Sequence, residues 1–152
     1  MTNVYGNLWV GSLEDSNLIN KKEYAIIHAT KSSFDKSFGQ VIYEVENELF
    51  LNWVDSKEAK YFDFNNCGIS VFEKTLNFID KWINSKKIFV HCNEGISRSP
   101  SIIMVYMAKR MGVITNKDHV FTEREFTDNF YPSYFAGKGI SDFLFKNWFK
   151  IK

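Results

Sequence analysis

The sequence predicts an α/β domain in which a central, mostly parallel sheet of about four to five strands is flanked by helices. Two observations lead to this prediction. Short apolar runs rich in β-branched residues, typical of buried strands, occur at 24–29 and 88–90. Segments with a helical spacing of apolar residues separate such runs and make up the last third of the chain. This alternation favours parallel strands that are joined by helical crossovers.

Each predicted strand is a short apolar run bounded by turn residues. The strand candidates, in chain order, are 8–10, 24–29, 41–45, 49–54 and 88–90. A Gly-Ser pair ends the first run, and an acidic turn at 46–48 separates the third from the fourth. The run at 24–29 is apolar enough for the centre of the sheet. We interpret His28, near its end, as a structural residue, and we expect a polar loop at 31–40.

Each predicted helix has its own sequence pattern. The helix candidates are 14–22, a segment that begins near Ser70, 101–111, 118–129 and a last helix after Gly139. Ser70 and Glu73 have the spacing of a capping box, and apolar residues follow them at helical intervals. Pro100 suits the first turn of the third helix, and Gly112 suits its C-terminal end. We interpret the aromatic residues of the last two helices as core residues.

Composition and charge narrow the classes of function. With 152 residues and 45% hydrophobic content, the chain is large enough for a real core, and we expect one domain over 1–152. A net charge of +1 makes nucleic acid an unlikely partner. Two cysteines are too few for a disulfide framework and suit a reducing compartment. No secretion-signal pattern and no apolar run of membrane-spanning length occur, so we expect a cytoplasmic protein without a membrane partner.

The stretch at 91–100 places a nucleophile beside an anion-binding site. Cys92 follows a predicted strand, and Arg98 and Ser99 lie where the next helix begins. A helix N-terminus has unpaired N–H groups and partial positive charge, which bind a phosphate or sulfate anion and favour a thiolate. The Arg98 guanidinium can hold two phosphate oxygens at once. The Ser99 hydroxyl can donate to the Cys92 sulfur, and Gly95 permits a tight backbone turn.

These residues form a motif: His-Cys, five residues, then Arg-Ser, with Asn-Glu-Gly-Ile-Ser in between. The motif resembles the signature of the cysteine-dependent protein phosphatases, and most of all their small dual-specificity branch. The resemblance implies a dual-specificity or tyrosine phosphatase-like fold that needs no cofactor and no metal. It also implies that His91 bonds to nearby backbone and tunes the Cys92 thiolate. The phosphate-binding residues would be Asn93, Glu94, Gly95, Ile96, Ser97 and Arg98.

The general acid that protonates the leaving oxygen has two candidates. The family places this aspartate on a loop after a sheet strand, upstream of the cysteine. Asp55 directly follows the predicted strand 49–54 and is our first choice. Asp63 has a separation from Cys92 closer to the usual spacing, but no predicted strand precedes it, and it remains the alternative.

The activity implied by the resemblance is hydrolysis of phosphomonoesters by a dual-specificity or tyrosine protein phosphatase, through a cysteinyl-phosphate intermediate. The partner would be a phosphoprotein or another phosphomonoester. The motif interior contains an acid, Glu94, and no base, which disfavours a polyphosphorylated lipid. An RNA 5′-phosphatase on the same fold stays open, although the near-neutral charge does not favour it. So do a catalytically idle phosphate-binding module and a sulfurtransferase or arsenate reductase.

Overall fold

Six strands form one sheet in the computed structural model, which describes residues 1–33, 40–115 and 117–152. The strands are β1 (Thr2–Tyr5), β2 (Leu8–Gly11), β3 (Tyr24–His28), β4 (Ile42–Val45), β5 (Glu48–Leu51) and β6 (Lys87–His91). Their order across the sheet is β1-β2-β6-β3-β5-β4. Three of the five pairings are parallel, and the two edge strands pair antiparallel. The α/β class and the mostly parallel sheet are confirmed, with one strand more than expected.

The additional strand is β1, at one edge of the sheet. Three of its four residues are exposed, so it lacks the apolar run by which the other strands were predicted. A tight turn connects it to β2, and Gly6 in this turn has a φ of +52°. Glycine adopts this left-handed conformation at little cost. The sequence therefore predicted the second strand of this hairpin, β2, but not the first, β1.

Helices lie between and after the strands. Those of the described residues are α1 (Leu13–Ser16), α2 (Lys60–Asp63), α3 (Gly68–Trp82), α4 (Arg98–Tyr106), α5 (His119–Asn129) and α6 (Lys138–Asn147), with 3₁₀ turns at Lys31–Ser33 and Trp148–Lys150. Helix α4 continues as a π-helical turn over Met107–Met111, and Gly112 ends it with a φ of +67°. The predicted stop at Gly112 is confirmed. Residues 34–39 of the predicted polar loop lie outside the described residues. No helix of the described ranges is long and apolar enough to cross a membrane.

Two predicted helices begin or end elsewhere. Helix α1 is a single turn that Ser12 caps, instead of the longer helix expected at 14–22. Helix α3 begins at Gly68, so Ser70 lies inside it and does not form the expected capping box. A Cβ atom at Gly68 would lie 2.3 Å from the Phe62 carbonyl oxygen. Gly68 therefore packs against α2 too closely for a larger residue.

The two faces of the sheet are covered unequally. Ile88 and Val90 of β6 belong to the large core that includes residues of α3 to α6, whereas Phe89 belongs to a small cluster on the opposite face. Helix α1 lies on that second face, where a Cβ atom at Gly11 would meet both Asp15 and the Phe89 ring. Because β6 is central and buried on both faces, Cys92, which directly follows it, is also buried.

Candidate active site

The Cys92 loop (residues 92–98) connects the end of β6 to the start of α4. The Cys92 side chain is buried, with 2% of its surface exposed. Its Sγ lies 3.3 Å from Oγ of Ser99 and 3.4 Å from the backbone nitrogen of Gly95, which donates to it. The hydroxyl predicted to face the sulfur is within hydrogen-bonding distance of it.

Gly95 allows the Cys92 loop to fold back against the sheet. Its φ is +80°, a conformation that favours glycine. A Cβ atom at this position would lie 2.8 Å from the carbonyl oxygen of Gly11, at the end of β2. Both the backbone conformation and the lack of space therefore favour glycine here.

The pKa of the Cys92 thiol is lowered even though the group is buried. Burial, the largest single effect, raises it. The Ser99 hydroxyl and backbone N–H, the positive charge of Arg98 and the N–H of Gly95 together outweigh burial. Because the thiolate is the nucleophilic form of cysteine, these groups favour the reactive state.

Arg98 is enclosed beside the thiol, with 4% of its surface exposed. Its Nη1 donates to the carbonyl oxygen of Trp53 at 3.0 Å. Its Nε has no hydrogen-bond partner among the described residues. A buried donor without a partner is costly. Arg98 and Cys92 both line a cavity of about 90 Å³, in which an anion could supply the missing acceptor.

The support segment (residues 131–139) runs from just after α5 into the first turn of α6 and bonds to the Cys92 loop. Its bonds run from the Tyr131 hydroxyl to Gly95 O (2.9 Å), from Phe135 N to Ile96 O (2.8 Å) and from Gly137 N to Ser97 Oγ (2.8 Å). The carbonyl groups of two successive loop residues therefore point away from the cavity. These contacts with the loop were not predicted from the sequence.

Asp55 lies at the cavity and Asp63 does not. Asp55 lines the cavity of about 90 Å³ together with Cys92 and Arg98. It is exposed, and it does not directly follow a strand as predicted, because β5 ends at Leu51. Asp63 is the last residue of α2 and is not among the residues that line this cavity. The geometry therefore favours the first of the two predicted acids.

A buried pair of histidines lies behind the nucleophile. Nδ1 of His91 is 3.2 Å from the carbonyl oxygen of Cys92, and its Nε2 is 2.6 Å from Nδ1 of His28. Burial and then the charge of His28 lower the pKa of His91 to about 4, so its imidazole is neutral at neutral pH. Nε2 of His28 is 3.0 Å from Oε1 of Glu48. The contacts of His28 with His91 and Glu48 were not predicted from the sequence, although both histidines end neighbouring parallel strands.

This fold and this site define a class of protein. A central strand delivers a cysteine to a loop that ends in Arg-Ser at the start of a buried helix, which is the arrangement of the cysteine-dependent phosphatases. The family model for the catalytic domain of dual specificity phosphatases matches residues 16–130. The chain therefore belongs to the dual specificity phosphatase family.

Individual relatives are distant. The chain is 23% identical over 123 residues to a probable dual specificity protein phosphatase of Dictyostelium discoideum, covering 78% of this chain and 28% of the relative. It is 29% identical over 65 residues to the protein-tyrosine-phosphatase IBR5 of Arabidopsis thaliana, covering 42% of this chain and 25% of the relative. The matches thus span about a quarter of each relative. The fold is similar to the crystal structure of DUSP15, with a TM-score of 0.64, 23% identity, and 97% of this chain and 86% of that chain covered.

Proposed function

We propose that the protein is a cysteine-dependent protein phosphatase, which hydrolyses phosphomonoesters with Cys92 as the nucleophile. The observation that carries the proposal is the buried Nε of Arg98, which lacks a partner among the described residues. Arg98 lines the same small cavity as the Cys92 thiol. A phosphoryl oxygen would accept from this nitrogen and place phosphorus near the sulfur. The family and the names of the relatives support the same activity.

In the first proposed step, the Cys92 thiolate attacks phosphorus. The S–P bond forms while the bond between phosphorus and the leaving oxygen breaks. The carboxylic acid of Asp55 gives its proton to that oxygen and becomes a carboxylate. Backbone N–H groups of the Cys92 loop and the Arg98 guanidinium stabilise the charge on the remaining phosphoryl oxygens. The product that departs is an alcohol or a phenol.

In the second proposed step, water hydrolyses the cysteinyl-phosphate. The water oxygen attacks phosphorus, the Asp55 carboxylate takes the proton of the water, and the S–P bond breaks. The sulfur leaves as a thiolate, which the Ser99 hydroxyl stabilises by donating to it from 3.3 Å. Inorganic phosphate is released, and both Cys92 and Asp55 return to their starting protonation states.

The proposed substrate is a phosphoprotein, with phosphotyrosine and phosphoserine or phosphothreonine as the groups that dual specificity requires. The solvent-facing residues of the Cys92 loop are Asn93, Glu94 and Ile96, which bring one negative charge and no positive charge. Additional phosphates on the substrate would meet Glu94 and be repelled. A substrate with one phosphoryl group fits this loop better than a polyphosphorylated lipid.

We further propose that residues 1–152 act as one catalytic domain in a reducing compartment such as the cytoplasm. Both Cys67 and Cys92 are free thiols. The proposed nucleophile must stay reduced to act, and oxidation would convert the thiolate to a sulfenic acid or a disulfide.

The test is turnover together with capture of the intermediate. Hydrolysis of p-nitrophenyl phosphate and of phosphotyrosine, phosphoserine and phosphothreonine peptides is measured for the wild type. Asp55→Asn slows hydrolysis of the intermediate, and it is given p-nitrophenyl phosphate, whose good leaving group departs with little need of protonation. The reaction is stopped with denaturant, the protein is digested, and its peptides are analysed by mass spectrometry. We expect one added phosphoryl group on the peptide that contains Cys92 and none on the peptide that contains Cys67, which serves as the matched control.

Other outcomes select other functions. Binding of phosphopeptide without any turnover makes the protein a phosphate-binding module. Turnover of a 5′-phosphorylated RNA, with no turnover of phosphopeptides, makes it an RNA phosphatase. Turnover of thiosulfate or arsenate alone removes the phosphatase proposal altogether.

A further inference from the structure

Four side chains form a hydrogen-bonded chain that leads from the nucleophile's backbone toward the surface. His91 and His28 stand opposite each other in the parallel register of β6 and β3. His91 connects the carbonyl oxygen of Cys92 to His28, and His28 connects His91 to Glu48 at the start of β5. Lys21 closes the chain, with its Nζ 3.2 Å from Oε2 of Glu48. The proposed mechanism assigns no role to His28 or Glu48.

The positions of the protons in this chain follow from the group at one end of it, the carbonyl oxygen of Cys92. The carbonyl oxygen of Cys92 can only accept, so Nδ1 of His91 must carry a proton. His91 is neutral, so its Nε2 must accept, and Nδ1 of His28 must donate to it. A carboxylate also only accepts, so a second proton lies between Nε2 of His28 and Oε1 of Glu48. The chain is complete when the pair of His28 and Glu48 holds that proton.

We propose that His28 is a positioning residue that fixes the tautomer of His91, and that Glu48 holds the His28 ring in place for this purpose. Fixing the tautomer directs the Nδ1 proton of His91 to the carbonyl oxygen of Cys92 and so orients the nucleophile. This inference rests on the proposed phosphatase function. In the other neutral tautomer, the Nδ1 lone pair of His91 would face the lone pairs of that carbonyl oxygen, and the contact would be lost.

The surroundings of the pair support this role. His91 is fully buried and His28 is 9% exposed, so water is not a ready substitute for either partner. The His28 ring stacks on Phe50 of β5, with 4.4 Å between ring centroids and 13° between planes, which fixes its orientation. Ring stacking and two hydrogen bonds together leave His28 one orientation.

Four charged groups act on the two histidines of the chain. Glu48 and Lys21 act on His28, and Arg98 and Asp15 act on His91. Burial lowers the pKa of His28, and the hydrogen bond and charge of Glu48 oppose this effect. Burial raises the pKa of Glu48, but the hydrogen bonds from His28 and Lys21 outweigh it and lower the value overall. The pKa values of both groups are lowered overall, so the second proton is present only at pH values below the lowered pKa of His28, where it lies on His28 while Glu48 stays ionised.

The test measures the tautomer directly, by ¹H–¹⁵N correlation of the imidazole rings in the intact chain. The chain has three histidines. His119 serves as an internal reference because it lies on α5 and is not a member of the hydrogen-bonded chain. At a pH below the pKa of His28, where the pair of His28 and Glu48 holds the second proton, we expect wild-type His91 to carry its proton on Nδ1. His28→Asn places an amide nitrogen near the position of Nδ1 and should keep this tautomer. His28→Leu removes the donor and should give a mixture or the Nε2–H form.

Glu48→Gln separates hydrogen bonding from charge. Its amide can donate to Nε2 of a neutral His28, which leaves the Nδ1 proton of His28 for His91. We therefore expect the wild-type tautomer of His91 in this variant. If Glu48→Gln changes the tautomer as much as His28→Leu does, charge and not hydrogen bonding sets the tautomer, and the inference as stated is wrong.

Kinetics supply the second readout. His28→Leu should lower kcat on the order of tenfold to a hundredfold, as is usual when a group that orients a functional histidine is removed. His28→Asn should stay within about threefold of the wild type, the rescue expected of the conservative variant. Equal losses for both variants would reduce His28 to a packing residue.

The inference and the proposed function can fail separately. An inactive wild type with the expected tautomers would refute the phosphatase proposal and leave the hydrogen-bonded chain intact. An active wild type whose His91 carries its proton on Nε2 would refute the positioning role and leave the phosphatase. If His28→Leu does not fold, the wild-type spectrum and His28→Asn still decide the matter.

Discussion

The Cys92 loop and the Asp55 segment (residues 52–58) both line the candidate active site, but they are held in different ways. The Cys92 loop is buried at the thiol and at Arg98, and its neighbours bind it through side chains as well as backbone. Asp55 is exposed, and its segment is anchored by the fully buried Trp53 side chain and by backbone groups on either side. The Trp53 carbonyl accepts from Arg98, and the Ser56 carbonyl accepts from Gly139.

This difference teaches how the two halves of the proposed reaction are prepared. The loop that binds the phosphoryl group is fixed in advance, which is how preorganised electrostatic stabilisation works. Asp55 has to protonate the oxygen of leaving groups that differ in shape. An exposed side chain on an anchored backbone suits that task. The support segment bonds to both halves and so keeps them in register.

The largest effect should come from the fixed half. Cys92→Ser should lower turnover of p-nitrophenyl phosphate on the order of 10⁴-fold or more, because the nucleophile is lost. Its affinity for inorganic phosphate, measured by calorimetry, should stay within about threefold, because Arg98 and the loop remain in place. Loss of phosphate binding in this variant would mean that the loop is not fixed independently of the thiol.

The next largest effect should come from a substitution in the Asp55 segment. Asp55→Asn should lower kcat by about 10²–10⁴-fold, and more for a phosphoserine peptide than for p-nitrophenyl phosphate, because a poorer leaving group needs the proton more. Asp63→Asn is the matched control and should change kcat by less than about twofold, because Asp63 does not line the cavity. The reverse ranking of the two variants would move the acid to α2.

A smaller effect should follow from removing the Ser99 hydroxyl, which lies beside the Cys92 sulfur. Ser99→Ala removes a group that lowers the pKa of Cys92, so this pKa should rise. Because the thiolate is the active form, the acid limb of the rate profile and the pH dependence of alkylation by iodoacetamide should move to higher pH. We expect a loss on the order of tenfold in kcat. Ser101→Ala is the control, since Ser101 bonds to Ser97 and Tyr134 instead.

The smallest effect should come from the contact that connects the two halves. A Cβ atom at Gly139 would lie 2.1 Å from the Ser56 carbonyl oxygen, so Gly139→Ala must push the Asp55 segment away. We expect a loss of about 1–3 kcal/mol in the free energy of unfolding and a severalfold fall in kcat.

Gly137→Ala is the matched control for this prediction. A Cβ atom there would lie 3.2 Å from Oδ1 of Asp55 and 3.3 Å from Oγ of Ser97, both of which can adjust. Its unfolding free energy, from chemical denaturation, should change by about 0.5 kcal/mol or less. Equal destabilisation by both substitutions would show that the contact between Gly139 and Ser56 is not the sensitive one.

The part of the site that could be predicted from sequence is the part that is contiguous in the chain. The residues at 91–100 follow one another from strand to helix, so their roles could be derived from spacing and local chemistry. The choice between Asp55 and Asp63 stayed open, because nothing local to either residue shows which one faces the cavity.

The parts that were missed depend on contacts between distant residues. The support segment bonds to the Cys92 loop, and His28 bonds to His91, across long stretches of chain that no periodicity connects. The predicted helix start near Ser70 was wrong as well, because α3 already begins at Gly68, which packs closely against α2. Strand β1 was missed because an exposed edge strand carries no apolar run.

The acceptor that orients Arg98 is a peptide group and not a side chain. The Trp53 carbonyl oxygen receives both the Lys31 N–H, at 2.8 Å, and the Arg98 guanidinium, at 3.0 Å, which uses the two lone pairs of that oxygen. Every amino acid at position 53 brings the same carbonyl. A side-chain substitution at position 53 therefore does not remove this acceptor. Replacing the amide between residues 53 and 54 by an ester would weaken the carbonyl as an acceptor.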